Sequence, residues 1–120
     1  MLESIVQKQV MLAVGSLRDV RIFRNNVGVA MVGSPARPLR FGLLKGSSDL
    51  IGWRQYKIQD DDVGKTVAVF TSVEVKNEKG KAMKEQKQWL ENVEQAGGIA
   101  VLARSADAAR DAVTTWRPKA

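Results

Sequence analysis

Two carboxylates and a lysine offer the most distinctive chemistry in the chain: Asp49, set in Gly46-Ser47-Ser48-Asp49-Leu50-Ile51-Gly52, and the pair Glu74 and Lys76 in Glu74-Val75-Lys76. Val67 to Lys76 reads VAVFTSVEVK, rich in β-branched residues. The two-residue period of a strand puts Ala68, Phe70, Ser72, Glu74 and Lys76 on one face. The opposite face, Val67, Val69, Thr71, Val73 and Val75, is almost wholly apolar, which predicts a central strand buried on that side. If Asp49 ends a neighbouring strand beside Glu74, two carboxylates about 4 Å apart repel by roughly 1 kcal/mol in water and about 4 kcal/mol at an effective dielectric of about 20. Something positive must offset this. Lys76 can neutralise one carboxylate, and a hard divalent cation held through one or two carboxylates, with several waters retained, suits oxygen ligands. Such an ion makes water more acidic, and a nearby lysine can orient that water for in-line attack on a phosphodiester. The same Glu-x-Lys tripeptide also occurs on exposed edge strands, where its two charges pair only with each other.

Composition removes many alternatives. There is no His and no Cys. Ser-His-Asp hydrolysis, imidazole acid–base catalysis, thiolate zinc sites and disulfides are therefore all excluded. Carboxylate, lysine and metal chemistry remain. A chain of 120 residues, 44% hydrophobic and 27% charged, has room for one core, so a single domain spanning 1–120 is expected. The formal net charge of +6 and pI near 9.9 favour a polyanionic partner such as nucleic acid, a balance shared by many merely basic proteins. No apolar run reaches the length of a membrane span, and Glu3, Gln7, Lys8 and Gln9 interrupt what would be a leader's hydrophobic region, which predicts a cytoplasmic protein.

The elements that must position these residues follow in order. Leu2 to Val14 carries apolar residues at 2, 6, 10, 13 and 14, a helical stripe stopped by Gly15. Asp19 to Phe23 alternates as a strand and leads into Arg24-Asn25-Asn26, residue types that suit a turn. Val27 to Pro38, rich in Gly and Pro, reads as a mobile loop with Arg24, Arg37 and Arg40 close by. Leu39 to Leu44 and Asp49 to Trp53 read as two strands of a hairpin joined by Lys45-Gly46-Ser47-Ser48. Gln55 to Asp62 is a polar excursion ending in three aspartates. Gly64-Lys65-Thr66 invites comparison with a phosphate-binding loop, but the first glycine of that motif would fall at Gln59, and the neighbouring aspartates would repel phosphate. Ala82 to Ala96 is the clearest helix, with Met83, Gln86, Leu90, Val93 and Ala96 on its inward stripe and Gly97-Gly98 at its end. Ile99 to Ala103 is a short buried strand, expected parallel to the Glu74 strand through a right-handed crossover. Ser105 can cap a last helix, Asp107 to Thr115, before Trp116-Arg117-Pro118.

Taken together, Glu3-x-x-Val6-Gln7, Arg24-Asn25-Asn26-Val27-Gly28, Phe41-Gly42-Leu43, Gly46-Ser47-Ser48-Asp49-Leu50-Ile51-Gly52, Glu74-Val75-Lys76 with Gly80, Gln86-x-x-Trp89-Leu90 and Gly97-Gly98-Ile99-Ala100 resemble the PD-(D/E)xK nuclease superfamily, and more closely the VRR-NUC family of replication and repair nucleases. The resemblance implies an α/β fold with a restriction-endonuclease-like core: a mixed sheet of about five strands flanked by helices. It implies a metal site of Asp49, Glu74 and the main-chain carbonyl of Val75, holding Mg2+ or Mn2+. Lys76, Gln86 and the first-helix Glu3 would join the carboxylates in catalysis. Arg24, Asn25 and Asn26, with Ser47 and Ser48, would line the nucleic-acid side.

Read from the residues alone, Glu3 is equally an N-terminal charge favoured by the helix dipole. Gln86 could instead satisfy a buried carbonyl. Lys79, Lys81, Lys84 and Lys87 could each neutralise a phosphate or form a solvated basic face. The function implied is metal-dependent DNA endonuclease activity, structure-selective for branched DNA such as Holliday junctions, with a homodimer supplying paired incisions. The competing reading is a non-catalytic basic nucleic-acid-binding module, in which Glu74 and Lys76 form a salt bridge.

Overall fold

A computed structural model describes residues 2–120 as a mixed α/β chain with three helices and six strands, the strands pairing two by two. It divides into two compact units, Met1–Tyr56 and Lys57–Ala120. Among the described residues the strands form three separate two-stranded ladders, where the sequence predicted one mixed sheet of about five.

In the first unit, helix α1 (Glu3–Gly15) packs against strand β1 (Val20–Arg24), which runs antiparallel to β4 (Leu50–Arg54). The helix has the expected bounds but not the expected face. Gln7, Met11 and Val14 are half-buried, whereas Val6 and Val10 are exposed. Apolar residues at 2, 5, 6, 10, 11, 12, 13 and 14 nearly encircle the helix, so periodicity could not choose the side that meets β1. Strands β1 and β4 approach closely where Ile22 faces Gly52. A Cβ at Gly52 would stand 1.9 Å from the Arg21 carbonyl oxygen, so no larger residue fits there. Phe23 and Trp53 pack nearby with their rings tilted by 56° and centroids 5.5 Å apart.

Two sequence expectations are corrected between β1 and β4. The segment 27–38 is not a mobile loop. It contains β2 (Gly28–Val32) and the start of β3 (Arg37–Phe41), an antiparallel hairpin closed through Gly33 and a cis Ser34-Pro35 bond. Its Gly and Pro residues make a tight turn, and Pro38 is tolerated because both strands of a two-stranded sheet are edges. The second correction follows. Since β3 pairs back onto β2 and β4 pairs with β1, the predicted hairpin of 39–44 with 49–53 does not form. The chain leaves β3 at Gly42 (φ 80°), where a Cβ would meet the Asn26 carbonyl oxygen at 2.4 Å.

In the second unit, the polar excursion ends in one 3-10 turn, Asp60–Asp62, after which β5 (Thr71–Val75) pairs in parallel with β6 (Ile99–Ala103) through α2 (Lys84–Gln95), as predicted. Helix α2 packs on both strands, and α3 (Ala106–Thr114) packs on β6. Ser105 caps α3, its Oγ accepting the Ala108 N–H at 3.1 Å, as its residue type foretold. Ile99, Val101 and Ala103 form the core with Val69, Ala109, Ala112, Val113 and Trp116, and Val93 of α2 is the most completely buried of the described residues at 1% exposure.

Of the strand face expected to be buried, Val69 alone packs on the core. Phe70, Ser72, Glu74 and Lys76 are half-buried, whereas Val67, Val73 and Val75 are exposed, Val75 by 71%. The reason is partner placement. Trp89 of α2 covers the Phe70–Ser72 side: its ring meets Phe70 edge-on at 6.3 Å and its Nε1–H donates to Ser72 Oγ at 2.8 Å. The α3 helix covers β6 on the other face, leaving the β5 valines beyond its reach. Alternation correctly separated the two faces and could not say which one a helix would cover.

Candidate active site

Asp49 lies at the mouth of β4, at the end of a turn whose conformation is fixed from outside. Asn25, which follows β1, is buried at 8% exposure, the one buried polar residue among those described. Its Nδ2 donates to Ser47 Oγ at 2.7 Å and to the Ser48 carbonyl at 2.9 Å, and its Oδ1 accepts the Leu43 N–H at 3.0 Å. Its own backbone N–H donates to the Asp49 carbonyl at 2.8 Å. The turn is closed locally by the Ser47 N–H donating to the Leu44 carbonyl at 2.9 Å. Both amide hydrogens and the carbonyl oxygen of one Asn side chain are thus used. Asp49 itself is exposed, as are Ser48, Arg24 and Asn26; Ser47 is half-buried. Asn25, expected beside nucleic acid, faces inward onto the aspartate's turn.

Glu74 and Lys76 belong to the second unit. They share the half-buried face of β5 with Ser72, as alternation predicted. The Lys76 N–H donates to the Ala103 carbonyl at 3.0 Å. Because a trans peptide holds its C=O antiparallel to its N–H, this bond turns the Val75 carbonyl oxygen away from β6, toward the outer edge of β5. The turn that follows is held twice. Asn77 Oδ1 accepts the Lys79 N–H at 3.1 Å and the Gly80 N–H at 2.7 Å, and Arg104 Nη1 donates to the Asn77 and Gly80 carbonyls at 2.7 and 2.6 Å. Lys79, Lys81, Lys84 and Lys87 are all exposed around it.

Gln86 sits at the third position of α2, half-buried, with Oε1 accepting the Met83 N–H at 2.9 Å, so this atom closes the helix N-terminus. Glu3 is exposed in the first turn of α1, where a negative charge complements the helix dipole. Sequence reasoning missed the roles of Asn77 and Arg104, although an Asn three residues before a Gly is a usable turn signal. It also missed the Ser72–Trp89 bond.

The chain carries a VRR-NUC domain over residues 33–107, more than half its length and spanning both Asp49 and the Glu74-Val75-Lys76 strand. The protein belongs to the VRR-NUC family, a family of nucleases. No curated protein and no solved structure matches it. Among the described residues no three His, Cys, Asp or Glu side chains gather as a ready metal cage, and no helix is long and apolar enough to cross a membrane. The donors of the candidate set are all oxygen: two carboxylates and a main-chain carbonyl. That chemistry fits a hard divalent cation rather than zinc or copper.

Proposed function

We infer that this protein is a divalent-metal-dependent endonuclease that hydrolyses DNA phosphodiester bonds. The observation that carries the reading is the family match, which includes the aspartate of the Gly-Ser-Ser-Asp turn and the Glu-Val-Lys strand within one domain. Asp49, Glu74 and the Val75 carbonyl would hold Mg2+ or Mn2+, an ion that neutralises charge on the scissile phosphate and acidifies water beside it. The outward turn of the Val75 carbonyl supports its place in this set. Lys76, on the Glu74 face, orients the attacking water and offsets the carboxylate charge, with Gln86 and Glu3 assigned supporting places at the edge of the site. Arg24, Asn26, Ser47, Ser48, Lys79, Lys81 and Lys84 track the phosphate backbone, consistent with a net charge of +6. Branched DNA as the preferred substrate, a homodimer making paired cuts, a joined mixed sheet of the restriction-endonuclease type and a cytoplasmic setting complete the proposal.

The test is cleavage of linear and four-way branched DNA with Mg2+, Mn2+ or EDTA. Wild type cuts only with metal, and Glu74→Ala and Lys76→Ala each lose at least about 100-fold in cleavage while retaining DNA binding. Binding without cleavage under every condition would establish the non-catalytic module instead.

A further inference from the structure

We propose that Asn25 is the positioning residue for Asp49: a buried carboxamide whose purpose is to hold the aspartate's turn in a metal-ready conformation before any ion arrives. The inference rests on the nuclease reading for its purpose and on the first unit's own geometry for its substance. Asn25 lies 22 residues from Ser47 and 18 from Leu43, and it grips both ends of the turn at once. Few side chains can do this. The site asks for two donors, to Ser47 Oγ and the Ser48 carbonyl, and one acceptor, for the Leu43 N–H, all within reach of a short stem. Asp has the shape but no donors, and would set an oxygen against the Ser48 carbonyl. Ser and Thr are too short and offer a single hydrogen. Gln has the chemistry on a stem one methylene too long.

The tether from the Asn25 N–H to the Asp49 carbonyl then fixes the backbone of the very residue whose carboxylate is exposed. An exposed carboxylate on a fixed backbone loses little freedom when it takes a cation; one on a loose loop must be ordered first, and affinity falls by that cost. Outer groups that orient a metal ligand typically change affinity by about 10–100-fold when removed. Ser47, which takes one of the three contacts, has a smaller share.

The experiment measures Mn2+ binding to the full chain by the paramagnetic resonance of the free ion, for wild type, Asn25→Asp, Ser47→Ala and Val113→Ala. Val113 packs in the core around β6, outside the residues of either turn, so its truncation supplies a variant with lowered melting temperature and every proposed site residue unchanged. Asn25→Asp is expected to weaken Mn2+ binding at least about tenfold and Ser47→Ala by a few-fold, with Val113→Ala unchanged. In the same samples, amide exchange at Leu43 and Ser47 should speed up in Asn25→Asp alone. Equal Mn2+ affinity in wild type and Asn25→Asp overturns the positioning role. Loss of affinity in Val113→Ala to the same degree does so too, since it would reduce the effect to general destabilisation. A wild type that takes up no Mn2+ overturns the nuclease reading itself and removes the purpose assigned to the pin.

Discussion

The turn that delivers Asp49 and the turn that follows Lys76 are each held by a side chain from elsewhere in its own unit, yet by opposite means. Asn25 works from inside: neutral, itself buried, with three part-buried side-chain contacts. Arg104 works from outside: charged, exposed, bridging two carbonyls that Asn77 has already drawn together. The difference lies in what water can replace. If Arg104 is removed, the Asn77 and Gly80 carbonyls hydrate and the local Asn77 bonds persist. If Asn25 is removed, three part-buried groups on the far side of the turn lose their partner at once, and no local bond replaces it. Hydrogen bonds of similar length therefore carry unequal weight.

Three substitutions sharpen this contrast, each measured as a shift in denaturation midpoint at constant slope. The largest effect belongs to Gly52→Ala, which drives a methyl into the Arg21 carbonyl and should cost about 3 kcal/mol or more by prising β4 from β1. Asn25→Ala comes next at about 2–3 kcal/mol, the cost of stranding buried polar groups. Arg104→Ala should cost about 1 kcal/mol or less, and a loss equal to that of Asn25→Ala would break the comparison.

How far the sequence revealed the two regions differs for the same physical reason. The Asn77–Gly80 turn is local, its donors and acceptor lying within three residues, and an Asn three residues before a Gly marks it. The parallel strand–helix–strand unit, the Ser105 cap and the Gly97-Gly98 helix end were likewise local patterns: the Gly97 and Gly98 N–H groups donate to the Glu94 and Val93 carbonyls at 3.0 and 2.9 Å. The Asn25 pin joins residues about twenty positions apart, and nothing in Arg24-Asn25-Asn26 says which of two adjacent asparagines turns inward. Strand partners failed similarly. Leu39 to Leu44 and Asp49 to Trp53 have hairpin composition, but pairing was decided by Phe41 facing Gly28 and Gly52 facing Ile22, contacts no periodicity encodes. The valine face of β5 was misjudged because alternation defines faces and leaves their covering to tertiary packing.

The bond between the Trp89 indole and Ser72 has a practical corollary for anyone following the protein in solution. Ser72 is the residue before Glu74 on the same side of the strand, so one peptide repeat and one short contact separate that carboxylate from the indole. The side-chain N–H signal of Trp89 in a heteronuclear spectrum of 15N-enriched protein is therefore expected to shift when Glu74 is substituted, a readout that needs no substrate and no turnover.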